Sequence, residues 1–406
     1  MRLSPLLFLP SSLCTSFASA YQLVVTNPEN VRSVAATVAY DMMSVYTGNK
    51  TGQIPGILPG GLGCNPNTVG TYCWWQAGAM FGALINYWQY TGDSSYNPVV
   101  SQALQFQRGG DNNFNPSNQS RSMGVDDQGF WAFSALDAAE SNFPEAGGNN
   151  PSWLALAQAV FNFQVNLWDP ATCGGGFRWQ VYSFNAGYNL KNTVSNGGNF
   201  QLAARLAYIT GNHTYAQWAD KVYDWMAQSR LMQNDTKANI LYIWDNTDVN
   251  NNCIDQTNFV WTYNYGIMLG GAAYMYSYTN GSEIWLSRVN AILNSAYTLF
   301  FPAKYGGNIM TEVQCEEQLN CNQDQKSFKA YLTHWMAVTA LLVPSTKAGI
   351  NAKLAASAAA AAGQCSGGPT GRQCGMRWYT PTWDGTTGVG QQVRAEPHPR
   401  SHASEC

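Results

Sequence analysis

Two adjacent aspartates, Asp126 and Asp127, form the sharpest chemical pattern in the chain, inside the segment MGVDDQGFW at 123–131. Retaining glycosidases use two carboxyl groups about 5–5.5 Å apart, and inverting glycosidases use a larger separation. Neighbouring aspartates can reach the shorter separation, and repulsion between them raises one pKa and keeps that group protonated as an acid. The same pair could instead serve as the N-cap and first-turn acid of a helix, where the helix dipole favours negative charge.

Other catalytic chemistry has few residues to work with. The chain contains four histidines: His213 lies in a glycosylation sequon, His398 and His402 lie near the C-terminus, and His334 lies in an apolar segment typical of a buried helix. A Ser-His-Asp triad or a histidine metal site is therefore not expected. The sequence shows no glycine-rich phosphate loop between a strand and a helix, and we expect neither a metal nor a cofactor.

The composition favours an uncharged, hydroxyl-rich ligand. Charged residues make up 11% of the 406 residues, the formal net charge is −3, and the chain contains 15 tryptophans and 22 tyrosines. This balance gives no reason to expect nucleic acid or an acidic membrane as a partner. Aromatic rings and amides suit a glycan, although a well-packed helical core would also explain the tryptophans.

Helical periodicity runs through most of the chain and takes two forms. Helices of the first form are amphipathic, which is typical of an outer layer, and those of the second are apolar on nearly every side, which is typical of a buried layer. The predicted outer helices are Val31–Tyr46, Tyr96–Arg108, Ser152–Trp168, Tyr215–Arg230, Ile284–Phe300 and Thr346–Ala362. The predicted inner helices are Trp74–Tyr90, Asp127–Ser141, Gly197–Tyr208, Phe259–Tyr278 and Phe328–Leu342.

The two forms alternate along the chain, and this alternation predicts an all-α fold, an (α/α)6 barrel of six outer-then-inner hairpins. Five complete pairs are visible, and the sixth inner helix is expected near 386–392. The barrel domain is predicted to span residues 21–392. The remaining residues, 393–406, include two prolines and two histidines, so we predict a disordered tail there.

Polar and aromatic residues gather near the predicted starts of the inner helices. Since these starts lie at the same end of a barrel, we expect the side chains to bind substrate around the aspartate pair, with indoles stacking on sugars and amides binding hydroxyls. For each residue alone, core packing is an equal alternative. The predicted substrate-binding residues are Trp74, Trp75, Gln76, Asn192, Asn196, Trp261, Tyr263, Asn264 and Lys329.

The N-terminus and the cysteines indicate the secretory route. Residues 1–20 carry Arg2, an apolar stretch and a small-residue cleavage site, which predicts a signal peptide. In an oxidising compartment we expect disulfides between neighbours in sequence: Cys64 with Cys73, Cys315 with Cys321, Cys365 with Cys374, leaving Cys173 and Cys253. Sequons predict glycosylation at Asn49, Asn118, Asn212, Asn234 and Asn280.

Four short motifs together resemble glycoside hydrolase family 76, the endo-α-1,6-mannanases: CWWQ at 73–76, GVDDQ at 124–128, TYN at 262–264 and KSFKAYL at 326–332. The resemblance runs from about residue 21 to 392 and is strongest to a fungal branch of GPI-anchored enzymes that trim mannan and help transfer mannoproteins onto wall glucan. It implies an (α/α)6 barrel and a retaining mechanism. By match to the family's motif, it implies Asp126 as nucleophile and Asp127 as general acid/base, whereas the residues alone give the pair without the roles.

The resulting hypothesis is a glycosidase or transglycosylase that cleaves or transfers α-1,6-mannan, or the mannose chains of GPI glycans, in fungal cell-wall assembly. Wall glucan is the candidate acceptor, and hydrolysis and transfer both stay open because they share one covalent intermediate. We expect a monomer, secreted or at the cell wall or outer face of the plasma membrane; the C-terminal sequence does not support a GPI anchor. The alternative is a non-catalytic glycan-binding wall protein on the same barrel, and a lyase is disfavoured because acidic sugars do not suit the near-neutral charge.

Overall fold

The computed structural model describes residues 21–63, 65–68, 70–369 and 371–386. These residues form eleven α-helices and six short strands. The helices are α1 Pro28–Met43, α2 Trp74–Thr91, α3 Asn97–Gln107, α4 Val125–Glu140, α5 Trp153–Val165, α6 Thr193–Thr210, α7 His213–Gln228, α8 Thr262–Tyr278, α9 Glu283–Phe300, α10 Phe328–Leu342 and α11 Lys347–Gly363. The strands are β1 Leu190–Asn192, β2 Met232–Asp235, β3 Ile240–Ile243, β4 Asn246–Asp248, β5 Cys365–Gly367 and β6 Gln373–Cys374.

Burial divides the helices into the two predicted forms. Helix α6 is buried without interruption from Thr193 to Ala207, and α8 from Thr262 to Met275. In α7 the buried residues recur every three or four positions, so that one face is covered. The inner helices α2, α4, α6, α8 and α10 pack side by side in that order, and each is covered by the outer helix that follows it. The predicted all-α barrel architecture is confirmed.

Short connections join α2, α6, α8 and α10 to the outer helices that follow them, and residues 141–152 join α4 to α5. The hairpins are therefore inner-then-outer, whereas the sequence predicted outer-then-inner hairpins. Glycine explains two of these turns, because Gly92 and Gly211 cap α2 and α6 with φ of 78° and 69°, a left-handed conformation that favours glycine. The longer loops precede the inner helices. They therefore collect at the N-terminal ends of these helices, where the predicted site residues lie.

Small residues let the inner helices approach one another closely. A Cβ atom at Gly197 would lie 2.8 Å from the sulfur of Met268, and one at Gly271 would lie 2.4 Å from the ring of Phe200. Glycine is therefore needed where α6 and α8 touch, because close-packed interiors leave no room for an added carbon. Gly197 lies inside α6 rather than at its predicted start, since Asn192 caps the helix by accepting from the backbone of its first turn.

Three antiparallel strand pairs hold the described loops in place: β1 with β4, β2 with β3, and β5 with β6. The β1–β4 pair matters most for the site, because it places Asn192 opposite Asn246 across two loops that are far apart in sequence. The sequence did not predict these strands, which are too short to show a recognisable alternation of apolar and polar residues.

The structure confirms three of the predicted disulfides, Cys173–Cys253, Cys315–Cys321 and Cys365–Cys374. Cys73 is also disulfide-bonded, and its predicted partner, Cys64, lies outside the described residues. The first bridge joins loops that precede α6 and α8. A cross-link of this kind restricts the unfolded chain and so stabilises the loop end of the barrel.

Some predictions fall outside the described residues: the signal peptide at 1–20, the sixth inner helix beyond Thr386, and the tail at 393–406. Among the helices that are described, none is both long and apolar enough to span a membrane. All five sequon asparagines are exposed, as an acceptor for a bulky glycan must be. Glycosylation itself stays a prediction.

Towards the C-terminal ends of the inner helices, a buried ion cluster ties the ring together. The fully buried Arg205 of α6 places Nη2 2.6 Å from Asp137 Oδ1 and Nε 2.8 Å from Glu140 Oε1, both on α4. Tyr274 of α8 donates its hydroxyl to Glu140 at 2.6 Å, and the guanidinium lies 5.1 Å from the ring of Trp335 on α10. The cluster therefore links four inner helices through one cation.

Replacement of this cation should destabilise the barrel strongly. We expect Arg205→Met to lower the free energy of unfolding by about 3–5 kcal/mol, because Asp137 and Glu140 would lose their buried counter-charge. Urea denaturation followed by circular dichroism measures this change. The control is Arg288→Met, which removes a more exposed ion pair with Asp224 and should lower the free energy by about 0–1 kcal/mol. Equal losses in the two variants would contradict the structural role of Arg205.

Candidate active site

A cavity of about 500 Å³ opens at the N-terminal ends of the inner helices. Every described inner helix contributes to its wall, together with the loops that precede α4, α6, α8 and α10. We call it the active-site cavity, and its lining includes Trp74, Trp75, Asp126, Asp127, Phe130, Trp179, Asn185, Asn192, Asp245, Asn246, Tyr263, Asp324 and Phe328. The predicted convergence of inner-helix starts on the aspartate pair is therefore what the structure has.

The aspartate pair caps its helix and faces the cavity at the same time. Asp127 Oδ2 accepts a hydrogen bond of 2.7 Å from the backbone N–H of Gly124, which closes the first turn of α4. Asp126 Oδ1 accepts one of 3.0 Å from the backbone N–H of Asp127. The capping interpretation and the catalytic interpretation are thus compatible, because each carboxyl group has a second oxygen beyond its capping bond.

Gly124 sets the spacing of the two carboxyl groups. A Cβ atom at this position would lie 2.1 Å from Asp126 Oδ1, 2.9 Å from Asp127 Oδ2 and 3.1 Å from Trp179 Nε1. Because these two oxygens, Asp126 Oδ1 and Asp127 Oδ2, lie so close to one point, they are no more than about 5 Å apart. This upper bound is compatible with the short carboxyl separation of a retaining pair. A side chain larger than hydrogen at Gly124 would occupy the space that the pair uses.

Burial shifts the pKa of both carboxyl groups towards the protonated form, and the charge of Asp126 adds to the shift of Asp127. Burial raises the pKa of Asp126 to about 7, and hydrogen bonds from the Asp127 backbone, Asn192 and Trp179 oppose that rise. Burial, followed by the charge of Asp126, raises the pKa of Asp127 well above its usual value. The structure therefore favours a proton on Asp127 and negative charge on Asp126.

Two further carboxyl groups line the cavity. Asp245 accepts hydrogen bonds from Asn246 Nδ2 at 2.9 Å and from Asn264 Nδ2 at 3.2 Å. Asp324 lies in the loop between α9 and α10. Burial raises its pKa to about 6, and a hydrogen bond from the Trp75 indole opposes that rise. The wall of the cavity therefore carries Asp245 and Asp324 in addition to the aspartate pair.

Of the predicted substrate-binding residues, four line the cavity: Trp74, Trp75, Asn192 and Tyr263. Trp74 mainly packs in the core, because its indole donates to Gln107 Oε1 at 2.8 Å. Trp75 stands between aromatic rings of α4 and α10. Asn192 Nδ2 donates to Asp126 Oδ2 at 3.4 Å, which ties the start of α6 to the aspartate pair. These residues are in position to touch a ligand.

Gln76 and Asn196, two of the predicted substrate-binding residues, lie outside the lining of the active-site cavity. Gln76 Oε1 accepts from the backbone N–H of Cys73 at 2.9 Å and so caps α2. Asn196 accepts from the backbone N–H of Phe177 at 2.7 Å and donates to the same residue's carbonyl oxygen at 3.0 Å. Both amides are used by the fold, which leaves little capacity for a sugar hydroxyl.

Trp261, Asn264 and Lys329 also lie behind the cavity wall. Trp261 is buried against the rings of neighbouring aromatic residues. Asn264 contacts the lining residue Asp245 from behind, and Lys329 forms a buried ion pair of 2.6 Å with Glu316. Trp261 and Asn264 therefore contact residues of the wall, Phe328 and Asp245, whereas the contacts of Lys329 lie away from the cavity.

The sequence did not predict the parts that Trp179, Asp245 and Asn246 play in this site. Trp179 lies in the long loop between α5 and α6, and its indole donates to Asp126. Asp245 and Asn246 follow the apolar strand β3. Polar residues directly after a short apolar run were the only sequence signal for these two, and that signal is weak. The described residues hold no group of three or more His, Cys, Asp or Glu side chains that could bind a metal ion.

A close carboxyl pair at the mouth of the inner ring is the arrangement with which glycoside hydrolases cleave sugars. Residues 30–397 match the family described as glycosyl hydrolase family 76. The chain therefore belongs to this family, as its four motifs indicated.

Relatives and solved structures agree with this membership. The chain is 43% identical to mannan endo-1,6-α-mannosidase DCW1 of Saccharomyces cerevisiae over 94% of this chain and 81% of the relative. It is similar to the crystal structure of Dfg5 from Chaetomium thermophilum in complex with glucosamine, with a TM-score of 0.84 and 41% identity over 91% of this chain and 89% of that one. The GH76A α-1,6-mannanase of Salegentibacter shares the fold, with a TM-score of 0.66 and 19% identity over 89% and 96% of the two chains.

Gly124 provides a direct test of the carboxyl spacing. We expect Gly124→Ala to lower the hydrolysis rate by at least about a hundredfold, because the new methyl group must displace one or both carboxyl groups. Initial rates of glycan cleavage measure this loss, and thermal unfolding checks that the barrel still forms.

The matched control is Gly129→Ala in the same helix, where a Cβ atom would meet nothing within 4 Å. This variant should keep its activity and gain up to about 1 kcal/mol of helix stability. Wild-type activity in Gly124→Ala would show that the spacing does not depend on this glycine.

Proposed function

We propose that this chain is a retaining endo-α-1,6-mannosidase or transglycosylase that acts on mannan, with Asp126 and Asp127 as its catalytic residues. The observation that carries the proposal is the pair of carboxyl oxygens no more than about 5 Å apart beside an open cavity. The proposed substrate follows the activity for which the yeast relatives DCW1 and DFG5 are named.

The chemistry would run in two steps. In the first, Asp126 attacks the anomeric carbon while Asp127 gives its proton to the departing glycosidic oxygen, which forms a mannosyl ester of Asp126. In the second, Asp127, now ionised, takes a proton from water or from a sugar hydroxyl, whose oxygen attacks the anomeric carbon and releases Asp126. Two inversions leave the product with the α configuration of the substrate.

The hydrogen bonds around the pair support this division of roles. Asp126 accepts from the Asp127 backbone, Asn192 and Trp179, and three donors stabilise an anion ready to attack. Asp127 accepts from Gly124 and faces the charge of Asp126, so that its proton is held at neutral pH. An ionised nucleophile beside a protonated acid is the state that the first step needs.

The acceptor decides between hydrolysis and transfer. We propose that the enzyme works outside the cell, at the wall, where mannan and glucan hydroxyls compete with water for the intermediate. The crystal structure of Dfg5 contains glucosamine, so we include amino sugars among the ligands of this cavity. The enzyme needs no second subunit for this chemistry, because one chain supplies both carboxyl groups.

Product analysis with α-1,6-mannan tests the proposed function. We expect short mannose oligomers that first appear as the α anomer in proton NMR, and larger conjugates when a β-glucan oligomer is added as acceptor. Oligomers that first appear as the β anomer would exclude the retaining mechanism. Binding of mannan without any product would favour the non-catalytic wall protein.

Removal of either carboxylate should abolish turnover and leave binding. We expect Asp126→Asn and Asp127→Asn each to lower the rate of oligomer release by at least about a hundredfold, because one lacks the nucleophile and the other the acid. Calorimetric titration with α-1,6-mannotriose should still detect binding. Asp111→Asn, a change at an exposed site outside the cavity, is the control. Full activity in either catalytic variant would contradict the assignment of Asp126 as nucleophile and Asp127 as acid.

The pH dependence of activity should reflect the ionisation of Asp126 and Asp127. Activity should fall as the pH drops below the pKa of Asp126, about 7, because the nucleophile gains a proton, and fall again as the pH rises through the higher pKa of Asp127.

The variant Asn192→Ser tests whether the Asn192 amide sets the pKa of Asp126. Serine keeps an N-cap acceptor for α6 but removes the amide that donates to Asp126. Since that bond lowers the pKa of Asp126, its loss should move the acidic limb of kcat/KM up by about 0.5–1 pH unit.

The control for this shift is Asn185→Ala. Asn185 lines the same cavity but donates to Gln180 and to the backbone of Ser120 rather than to the pair. Its removal should leave the acidic limb in place. A downward shift in Asn192→Ser, or equal shifts in the two variants, would contradict the proposed hydrogen-bond effect.

A further inference from the structure

Tyr263 and Phe328 lie side by side in the wall of the active-site cavity. Their rings stack face to face, with centroids 3.8 Å apart and planes inclined by 2°. The Tyr263 hydroxyl donates to Asp245. Burial raises the pKa of Tyr263, and the charges of Asp245 and Asp126 add to that rise, so the hydroxyl also lies close to the proposed nucleophile. The placement of this ring therefore bears on the geometry of the reaction.

The start of α8 is capped from another loop. The residue before the helix, Trp261, carries an indole that can only donate, so it offers no acceptor to the N–H groups of the first turn. Glu312, in the loop between α9 and α10, supplies the acceptor, since the backbone N–H of Thr262 lies 3.3 Å from each of its carboxyl oxygens. The Thr262 hydroxyl also hydrogen-bonds to that carboxyl group. Glu312 thus holds the residue next to Tyr263.

A chain of buried contacts continues from Glu312 to the start of α10. The backbone N–H of Glu312 donates to Glu316 Oε1 at 2.9 Å, and the same oxygen lies 2.6 Å from Lys329 Nζ. Lys329 follows Phe328 in α10 and also donates to the carbonyl oxygen of Met376 at 2.6 Å. Both carboxyl groups and the ammonium group are buried. This cluster of Glu312, Glu316 and Lys329 therefore ties the two stacked rings together from behind the wall.

The charges in this cluster balance without Glu312. Burial raises the pKa of Glu312 to about 8, against a hydrogen bond from Thr262, so the group is mostly protonated at neutral pH. Glu316 and Lys329 then form an ion pair with no net charge. A neutral Glu312 acts through the shape and the hydrogen bonds of its carboxyl group. Glutamine can reproduce both, because it offers an oxygen to the Thr262 N–H and an N–H to the hydroxyl oxygen.

We propose that Glu312 is a positioning residue, which places Tyr263 beside Asp126 by holding the first turn of α8. The proposal rests on the proposed function, because the reaction that it serves is cleavage at the aspartate pair. Glu312 is fully buried and lies outside the lining of the cavity, so its effect on catalysis passes through Tyr263. Such an effect can be large, since a displacement of about 1 Å can lower a rate by about a hundredfold.

Rates of α-1,6-mannan cleavage test this role. We expect Glu312→Ala to lower kcat by about ten- to a hundredfold and to raise KM by no more than about threefold, because the ring moves relative to the reacting bond. Glu312→Gln should keep kcat within about threefold of the wild type. The matched control is Thr311→Val, which removes a neighbouring buried hydroxyl that has no hydrogen-bond partner among the described residues. Its kcat should not change.

A double-mutant cycle shows whether Glu312 acts through Tyr263. Tyr263→Phe removes the hydroxyl that donates to Asp245 and keeps the ring that stacks on Phe328. In the Tyr263→Phe background, Glu312→Ala should lower kcat by no more than about threefold, because the group that it misplaces is already gone. A merely structural role would give equal losses in the two backgrounds.

Fluorine NMR gives a readout that needs no turnover. In protein labelled with 3-fluorotyrosine, the Tyr263 resonance is the one that disappears in Tyr263→Phe. Glu312→Ala should shift this resonance, whereas Glu312→Gln and Thr311→Val should leave it in place. If Glu312→Ala does not fold, Glu312→Asp, which withdraws the carboxyl group by one methylene, takes its place with the same expected shift and loss of kcat.

Two kinetic results would overturn the positioning role: a wild-type kcat in Glu312→Ala, or equal losses in the two backgrounds of the cycle. Cleavage of α-1,6-mannan by the wild type separates the two proposals. Cleavage together with an unmoved Tyr263 resonance in Glu312→Ala refutes the positioning role alone. A wild type that does not cleave mannan, together with a resonance that moves in Glu312→Ala and stays in the control, refutes the proposed function alone.

Discussion

The repulsion between two carboxyl groups no more than about 5 Å apart is the constraint on which the rest of the site depends. Both groups cannot be ionised at low cost in a partly desolvated cavity, so one proton stays between them. Gly124 allows the close approach, and hydrogen bonds from the Asp127 backbone, Asn192 and Trp179 favour the negative charge on Asp126. The charge distribution that the proposed reaction needs is thus set by the protein's own groups.

The barrel serves this pair by fixing loops at one end of a rigid ring. The buried Arg205 holds four inner helices together near their other end, so the N-terminal ends keep their spacing. Asn192 is positioned by the β1–β4 pair and by the adjacent Lys191, whose buried ammonium group donates to the carbonyl oxygens of Thr172 and Gly175. A precise donor to Asp126 therefore depends on contacts well outside the cavity.

The features that could be predicted from the sequence are those that a short stretch of residues encodes. The buried and amphipathic helices differ in composition, and Asp126 and Asp127 stand together in one motif. The position of Trp179 depends on how the loop before α6 folds back over α4, where its backbone pairs with Val125, and no periodicity reports such a contact. The ion pair of Lys329 with Glu316 was not predictable for the same reason, because only the fold brings these two residues together.

Capture of the covalent intermediate is the sharpest test of Asp126 as the nucleophile of a retaining reaction. An α-mannosyl epoxide or fluorosugar that reacts with the nucleophile of retaining enzymes would label the protein, and peptide mass spectrometry would locate the label. We expect a single ester on Asp126, either of the fluorosugar or of the opened epoxide, formed at a rate that falls when Asp126 is protonated. A label on Asp127 or Asp324 would contradict the division of roles between the two adjacent carboxyl groups.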